Sequence, residues 1–168
     1  ARVAGFLRLR PDALDAALTD PDAETRAWSA HALGRLGGPV EPLMIAIGDD
    51  APAVRRHAAA ALARLGVDPG PPLEALAADD DAETRAAAMR ALGVLKPAGA
   101  AALLRAGLGE ENPGVRSTAA IALGHLGERA ALQAHGRDPH PEVRANVQRA
   151  LDACDETRDQ PNQGSAEG

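Results

Sequence analysis

The sequence has few of the residues that hold cofactors and metal clusters or fill β-rich cores. Its 168 residues include one cysteine, Cys154, no tyrosine, and only Phe6 and Trp28 as aromatic residues of the Phe, Trp and Tyr class. A single cysteine excludes an intrachain disulfide framework and a cysteine cluster for zinc or iron–sulfur. Alanine and leucine supply most of the apolar residues, and they favour closely packed helices over strands. The composition therefore predicts an all-α protein.

The chain also lacks an excess of basic residues and a long apolar run. It has 18 Lys and Arg against 24 Asp and Glu, a formal net charge of −6. This balance gives no electrostatic case for nucleic acid or an anionic membrane as partner. No apolar run approaches the roughly 20 residues of a spanning helix, and the first residues do not have the pattern of a signal peptide. We therefore expect a cytoplasmic protein.

What the sequence does contain is one unit repeated along the chain. The stretch DPDAETRAWSAHALGRLG, which begins at Asp20, recurs in related form four more times. Each copy has an arginine six residues after its acidic start and a leucine seven residues after that arginine. These anchor arginines are Arg26, Arg55, Arg85, Arg116 and Arg144, at spacings of 29, 30, 31 and 28 residues. A fixed period of this length is typical of helical repeat arrays.

The repeat predicts a right-handed α-solenoid of about five antiparallel helix pairs. Acidic residues precede the long helix in each unit, four of the five units also place proline at its start, and most units end it with glycine. We expect Asp20 to be the first N-cap. The predicted repeats span residues 11–37, 38–66, 67–96, 97–127 and 128–154. We expect residues 1–10 to be an N-terminal cap or the remnant of a preceding repeat, and residues 155–168 a disordered polar tail.

The acidic starts and the anchor arginines recur together, which indicates an architectural role. Each arginine stem should lie at the helix packing surface, so that its guanidinium reaches the acidic residue of its own or a neighbouring repeat. One catalytic site does not need five copies, whereas a repeat interface does. The predicted structural ladder pairs these arginines with Asp20, Asp49, Asp79, Glu110 and Asp138.

Binding residues are expected where the repeats differ, on the concave surface lined by the long helices. The outward positions are predicted two, five and nine residues after each anchor arginine, and none of these fifteen positions holds Asp or Glu. A mildly basic groove of this kind suits an acidic partner, although charge on a solvated helix face is also ordinary. The candidate partner-binding residues are Trp28, His31, Arg35, His57, Arg64, Arg90, His125 and Arg149.

The motif D-x-x-x-x-V-R followed by A-x-x-A-L-x-x-L-G resembles short HEAT-like repeats of the type first associated with phycobilisome lyases. The resemblance extends from about Pro11 to Cys154 and implies an α-solenoid. It implies scaffold and regulatory functions more often than enzymatic ones. HEAT-like deoxyhypusine hydroxylases bind iron through His-Glu dyads, but no His-Glu pair occurs here, so neither that activity nor a metal site is expected.

Other enzyme families with such repeats fit the residues less well than a scaffold does. Two aromatic residues make a poor cradle for the tetrapyrrole of a bilin lyase, and the basic stripe lacks the catalytic acid of the HEAT-like alkylpurine DNA glycosylases. We expect a non-catalytic scaffold that binds a partner protein or acidic segment and needs no cofactor. The alternatives are a lyase or chaperone of the bilin-lyase type, or the repeat appendage of a larger enzyme such as an epoxyqueuosine reductase.

Overall fold

The computed structural model describes residues 11–159, and these residues form ten α-helices and no strand. Five short helices alternate with five longer ones. The short helices are α1 (Pro11–Ala17), α3 (Val40–Ala46), α5 (Pro71–Leu76), α7 (Ala100–Gly107) and α9 (Arg129–Ala134). The long helices are α2 (Ala23–Leu36), α4 (Pro52–Leu65), α6 (Ala82–Leu95), α8 (Pro113–His125) and α10 (Pro141–Asp159). This architecture confirms the predicted all-α solenoid of helix pairs.

The helix ends follow from local sequence, with one correction. The N-cap of α2 is Asp22, whose carboxylate accepts the Thr25 backbone N–H at 2.9 Å, so the expectation that Asp20 caps this helix was wrong. Asp20 lies in the preceding turn, where its carboxylate accepts the backbone N–H of Asp22 at 2.8 Å. The reason is spacing: a cap must bond the amide two or three residues ahead in the first helical turn. At the other end, Gly37 takes the left-handed conformation (φ 74°) that ends α2.

The core is a stack of leucine and alanine layers between the short and long helices. Leu33, Leu43, Leu62 and Leu104 are fully buried, and the same core cluster continues to Val147 in α10. Consecutive long helices pack directly on one another in the order α2, α4, α6, α8, α10, while short helices pack against the long ones. Each repeat therefore contacts mainly its neighbours, as expected of a solenoid.

The last helix extends further than the sequence predicts. The disordered tail was expected to begin at residue 155, but α10 continues to Asp159; residues 160–168 lie outside the described part of the chain, as do residues 1–10 with their expected cap. Asp152 of α10 is exposed and accepts a hydrogen bond from Gln148 Nε2 at 2.7 Å. A polar terminal helix suits the end of an array that faces water. None of the helices between residues 11 and 159 is long and apolar enough to cross a membrane.

Candidate functional site

The anchor arginines bind the acidic residue of the next repeat. Arg26 Nε donates to Asp49 Oδ2 at 2.8 Å and Arg26 Nη2 to Asp49 Oδ1 at 2.9 Å. Its remaining nitrogen, Nη1, donates to the backbone oxygen of Asp20 at 2.8 Å. The first four guanidinium groups thus each join two repeats, through a carboxylate ahead of them and a carbonyl in their own turn. The pairs are Arg26–Asp49, Arg55–Asp79, Arg85–Glu110 and Arg116–Asp138.

The ladder is not uniform along the chain. Arg85 makes a single contact with its partner, from Nη2 to Glu110 Oε2 at 3.1 Å, and its buried Nε has no hydrogen-bond partner. In the last repeat Arg144 is exposed and its Nη1 donates to the backbone oxygens of Asp138 and Pro139. Of the four pairs, only the three between arginine and aspartate are therefore bidentate.

Two pairs of the ladder, Arg26–Asp49 and Arg116–Asp138, lower the pKa of the aspartate and so favour the ion pair. The hydrogen bond from Arg26 lowers the pKa of Asp49, with the backbone N–H of Ala51 adding to the effect. The hydrogen bond from Arg116 likewise lowers the pKa of Asp138. These carboxylates are held in the charged form, because each accepts two guanidinium hydrogen bonds and one from the backbone.

Three candidate binding residues form an aromatic cluster between α2 and α4. The Trp28 and His57 rings stack with centroids 6.1 Å apart and planes at 25°, and His31 meets both rings edge-on at 5.8 and 5.4 Å. Trp28 remains 52% exposed. Its indole N–H lies 3.4 Å from Glu24 Oε1, one turn earlier on α2. The cluster is therefore a solvent-facing aromatic surface rather than part of the core.

The two histidines of this cluster favour the neutral form. Partial burial lowers the pKa of His31, and the positive charges of Arg64 and Arg35 lower it further. Partial burial also lowers the pKa of His57, followed by the effects of His31 and Arg56. A neutral imidazole stacks on indole without the cost of burying a charge.

The candidate arginines extend this surface along the solenoid. Arg35 and Arg64 are exposed in the last turns of α2 and α4, and both are near enough to His31 for their charges to lower its pKa. Arg90 and Arg149 are exposed on α6 and α10, and His125 is the exposed last residue of α8. The structure brings Trp28 and the two histidines together, whereas these last three residues lie on later helices.

The predicted outward stripe needs correction at its first position. Two residues after the anchor arginine, Ala87 and Asn146 are each only 5% exposed, because this position faces the preceding long helix. Asn146 Nδ2 accordingly donates to Ser117 Oγ of α8. The residues five and nine positions after the anchor arginine are half-buried or exposed in every repeat. We call these two rows, together with Trp28 and His57, the long-helix face.

The long-helix face has a depression toward the C-terminal ends of α6, α8 and α10. Its volume is about 630 Å³, and its lining includes Val94, Lys96, His125 and Ala153. Val94 is 59% exposed, and Lys96 Nζ donates to the His125 backbone oxygen at 2.8 Å. The face therefore combines an aromatic cluster near one end with an open depression near the other.

Sequence reasoning missed two features of this surface. Glutamates at the starts of the long helices, such as Glu24 and Glu83, border the face, as expected for acidic residues near helix N-termini. The exposed Val94 and Ile121 were not among the candidates, although each interrupts a row that holds Arg or His in other repeats.

In residues 11–159 no group of three His, Cys, Asp or Glu side chains is placed to hold a metal ion.

Comparison with known proteins agrees with the repeat architecture. The family profile for HEAT repeats matches residues 11–73 and 70–152, whereas no curated protein matches the chain. Among solved structures, the chain is similar to the complex of CpcE and CpcF of phycocyanin lyase from Nostoc sp. PCC7120, with a TM-score of 0.75 and 25% identity. That match covers 89% of this chain and 66% of the other, so this chain is similar to just under two thirds of it.

Two further structures share the fold. Human deoxyhypusine hydroxylase in complex with glycerol is 27% identical with a TM-score of 0.60, and the match covers 87% of this chain and 62% of that one. A designed armadillo repeat protein is 21% identical with a TM-score of 0.62, over 86% of this chain and 82% of that one. Because the family profile covers nearly all of the described residues, the chain belongs to the HEAT-repeat family.

Proposed function

We propose that the protein is a non-catalytic scaffold that binds an acidic segment of a partner protein on its long-helix face. The observation that carries the proposal is the aromatic cluster, in which Trp28 stacks on His57 yet stays 52% exposed beside Arg35 and Arg64. Tryptophan and arginine are the residue types that most often dominate binding energy at protein interfaces. A large ring held by its neighbours loses little conformational entropy when a partner covers it.

The charge distribution favours an acidic partner. Positions five and nine of the long-helix face carry Arg35, Arg64, Arg90 and Arg149 and no carboxylate, although the chain as a whole is acidic. Arg35 and Arg64 also complement the negative ends of their helices. Arg90, in contrast, is exposed away from the helix end. An acidic segment laid along this face would pair with arginines of successive repeats.

Helix spacing supports the long-helix face as the inner surface of the solenoid. Gly34 and Gly93 bring their helices so close to the next that an added Cβ would lie 2.5 Å from Ala61 Cβ and 2.6 Å from Ala122 Cβ. A two-layer stack curves toward its more closely spaced layer, and solenoids use the resulting concave surface for binding. The partner would therefore contact several repeats at once, and we propose the cytoplasm as the place of this interaction.

Trp28 provides the test, because it is the chain's only tryptophan and the chain has no tyrosine. The emission of Trp28 is measured while a glutamate-rich peptide or a lysine-rich peptide of equal length is added. We expect saturable changes with the acidic peptide only, weakened about tenfold or more by Arg64→Glu with Arg90→Glu. Calorimetry on the variant that also carries Trp28→Ala should detect little binding.

The matched control is Arg137→Glu, which changes the net charge by the same amount per residue at an exposed position outside the long-helix face. Binding by this variant should equal that of the native protein. If it loses as much affinity as the variant with Arg64→Glu and Arg90→Glu, the peptide responds to overall charge and the proposed face is wrong. The same conclusion follows if the lysine-rich peptide binds as tightly as the acidic one.

A second candidate function is that of a lyase or chaperone of the bilin-lyase type, favoured by the similarity to the phycocyanin lyase complex. The test is the visible absorption spectrum of a free bilin with and without the protein, followed by transfer to apo-phycocyanin. A spectral change abolished by Trp28→Ala would favour this function over the scaffold. The chain's match to 66% and 62% of two longer proteins also allows a repeat appendage of a larger enzyme, which the full reading frame would test.

A further inference from the structure

A second surface lies on the opposite layer of the molecule, between the short helices α1 and α3. This groove has a volume of about 390 Å³. Its apolar wall includes Leu18, Pro42 and Ile45, and Ile45 is 80% exposed, more than any other large hydrophobic side chain of the described residues. Burying such a side chain is favourable by roughly 25 cal/mol per Å² of apolar surface, so a segment that covers Ile45 would gain affinity from this contact.

Ile45 departs from the repeat pattern. It lies two residues after the buried leucine of its short helix, Leu43. The corresponding residues of the other four short helices are Ala16, Ala75, Ala106 and Ala134. Because the fold accepts alanine at this position in the other four repeats, it does not require isoleucine at position 45. The side chain therefore has no architectural role that the repeats share.

The charged residues that line the groove are all acidic. They are Asp15, Glu41, Asp49 and Asp50. Asp49 pairs with Arg26, whereas within residues 11–159 none of the other three takes part in an ion pair. The gap between α7 and α9 shows the contrast, since there Arg105 Nη2 donates to Glu128 Oε2 at 2.6 Å. At α1 and α3 the acidic side chains have no such cation from the chain's own short helices.

We propose that the groove between α1 and α3 binds a cationic amphipathic segment of a partner protein. An apolar side chain of that segment packs on Ile45, and its lysine or arginine residues pair with Asp15, Glu41 and Asp50. Apolar contact supplies affinity, and the carboxylates select a basic segment and its orientation. The partner differs in charge from the acidic segment proposed for the long-helix face, so the scaffold holds two partners of opposite charge on opposite layers.

The test uses a labelled short peptide with leucine and lysine at helical spacing, and a control peptide with glutamate in place of lysine. Fluorescence anisotropy should show binding of the basic peptide only, weaker at higher salt. Ile45→Ala should weaken it about tenfold, without harm to folding because alanine occupies this position in the other repeats. Glu41→Lys should weaken it at least as much and reduce its salt dependence.

The matched control is Ile121→Ala, which removes the same atoms from an exposed isoleucine on the long-helix face; it should leave binding of the basic peptide unchanged. Ile45→Ala should in turn leave the Trp28 response to the acidic peptide unchanged, so the two proposals fail independently. Equal binding by native and Ile45→Ala protein would overturn the groove. Binding seen only after deletion of residues 1–10, which include Arg2, Arg8 and Arg10, would instead identify that segment as the occupant.

Discussion

At the scale of single residues, the anchor arginines show how one carbon atom changes a repeated contact. Arg55 donates from Nε and Nη2 to the two oxygens of Asp79, both at 2.8 Å. Arg85 lies in the equivalent turn, with Nη1 on the backbone oxygen of Asp79 at 2.7 Å. Its partner Glu110 presents only one oxygen to it, and the buried Nε of Arg85 is left without a partner. The two pairs therefore carry the same charges but differ in the geometry of their hydrogen bonds.

We predict that Glu110→Asp stabilises the protein. The shorter carboxylate should accept both guanidinium hydrogen bonds, as in the neighbouring rungs, and so supply a partner for the buried Nε of Arg85. A charge-assisted hydrogen bond in place of an unsatisfied donor is worth about 1 kcal/mol. Denaturant unfolding should show this gain as a higher midpoint with an unchanged slope.

The opposite change in the same rung serves as the contrast. Arg85→Ala removes the contact with Glu110 and the two backbone hydrogen bonds of Nη1, so it should lower the free energy of unfolding by about 1 to 3 kcal/mol. It should leave peptide binding at the long-helix face nearly unchanged. A fully stable Arg85→Ala protein that no longer binds would show that the arginine serves binding rather than architecture.

At the scale of helices, glycine sets how closely the long helices approach. Gly34, Gly93 and Gly124 each stand eight residues after an anchor arginine and face an alanine of the next long helix. At Gly124, an added Cβ would lie 2.8 Å from the Cβ of Ala150. Glycine in a helix costs up to about 1 kcal/mol relative to alanine, and here close packing of neighbouring repeats offsets that cost.

We predict that Gly93→Ala destabilises the protein despite the better helix propensity of alanine. The new methyl would overlap Ala122, with 2.6 Å between the two Cβ atoms, so α6 and α8 would have to move apart. Overpacking of this kind costs about 1 to 3 kcal/mol. The measurement is the thermal unfolding midpoint, with far-UV circular dichroism to verify that helix content is retained.

Gly48→Ala is the control for this substitution. A Cβ at Gly48 would lie 3.6 Å from the nearest backbone oxygen, an ordinary contact, and its φ is not in the left-handed region. This variant should unfold at the native temperature or slightly above it, because alanine restricts the unfolded chain. If Gly93→Ala behaves in the same way, the helices adjust freely and close approach does not hold the repeats in place.

At the scale of the whole molecule, the residues that recur in every repeat predicted the fold. The residues that differ between repeats predicted only part of the long-helix face. The period of the anchor arginines was sufficient for the helix order, because each repeat has the same neighbours. The burial of Asn146 was not predictable, since it depends on the rotation of α10 against α8. The repeat period places His31 and His57 on adjacent long helices, where they can approach each other. It does not show that both rings meet Trp28, because that arrangement depends on how the two repeats pack.

The histidines of the aromatic cluster and the aspartates of the structural ladder titrate in different pH ranges. We therefore predict two steps in the dependence of stability on pH. His31 and His57 have pKa values lowered from 6.5, so the unfolded chain binds their protons more readily and stability should fall as the pH drops below about 6.5. Asp49 and Asp138 have pKa values lowered from 3.8. Their contribution is complete above that value and is lost as the pH falls through their folded-state pKa.

Unfolding free energies measured between about pH 3 and pH 8 would resolve the two steps. A variant with His31→Ala and His57→Ala should lose the step near pH 6 and keep the acidic one, because the ladder does not involve these histidines. His135→Ala, which removes a histidine outside the aromatic cluster, should keep both steps. A native profile without a decline near pH 6 would mean that the histidines titrate alike in the folded and unfolded chain, and the aromatic cluster would then not hold them neutral.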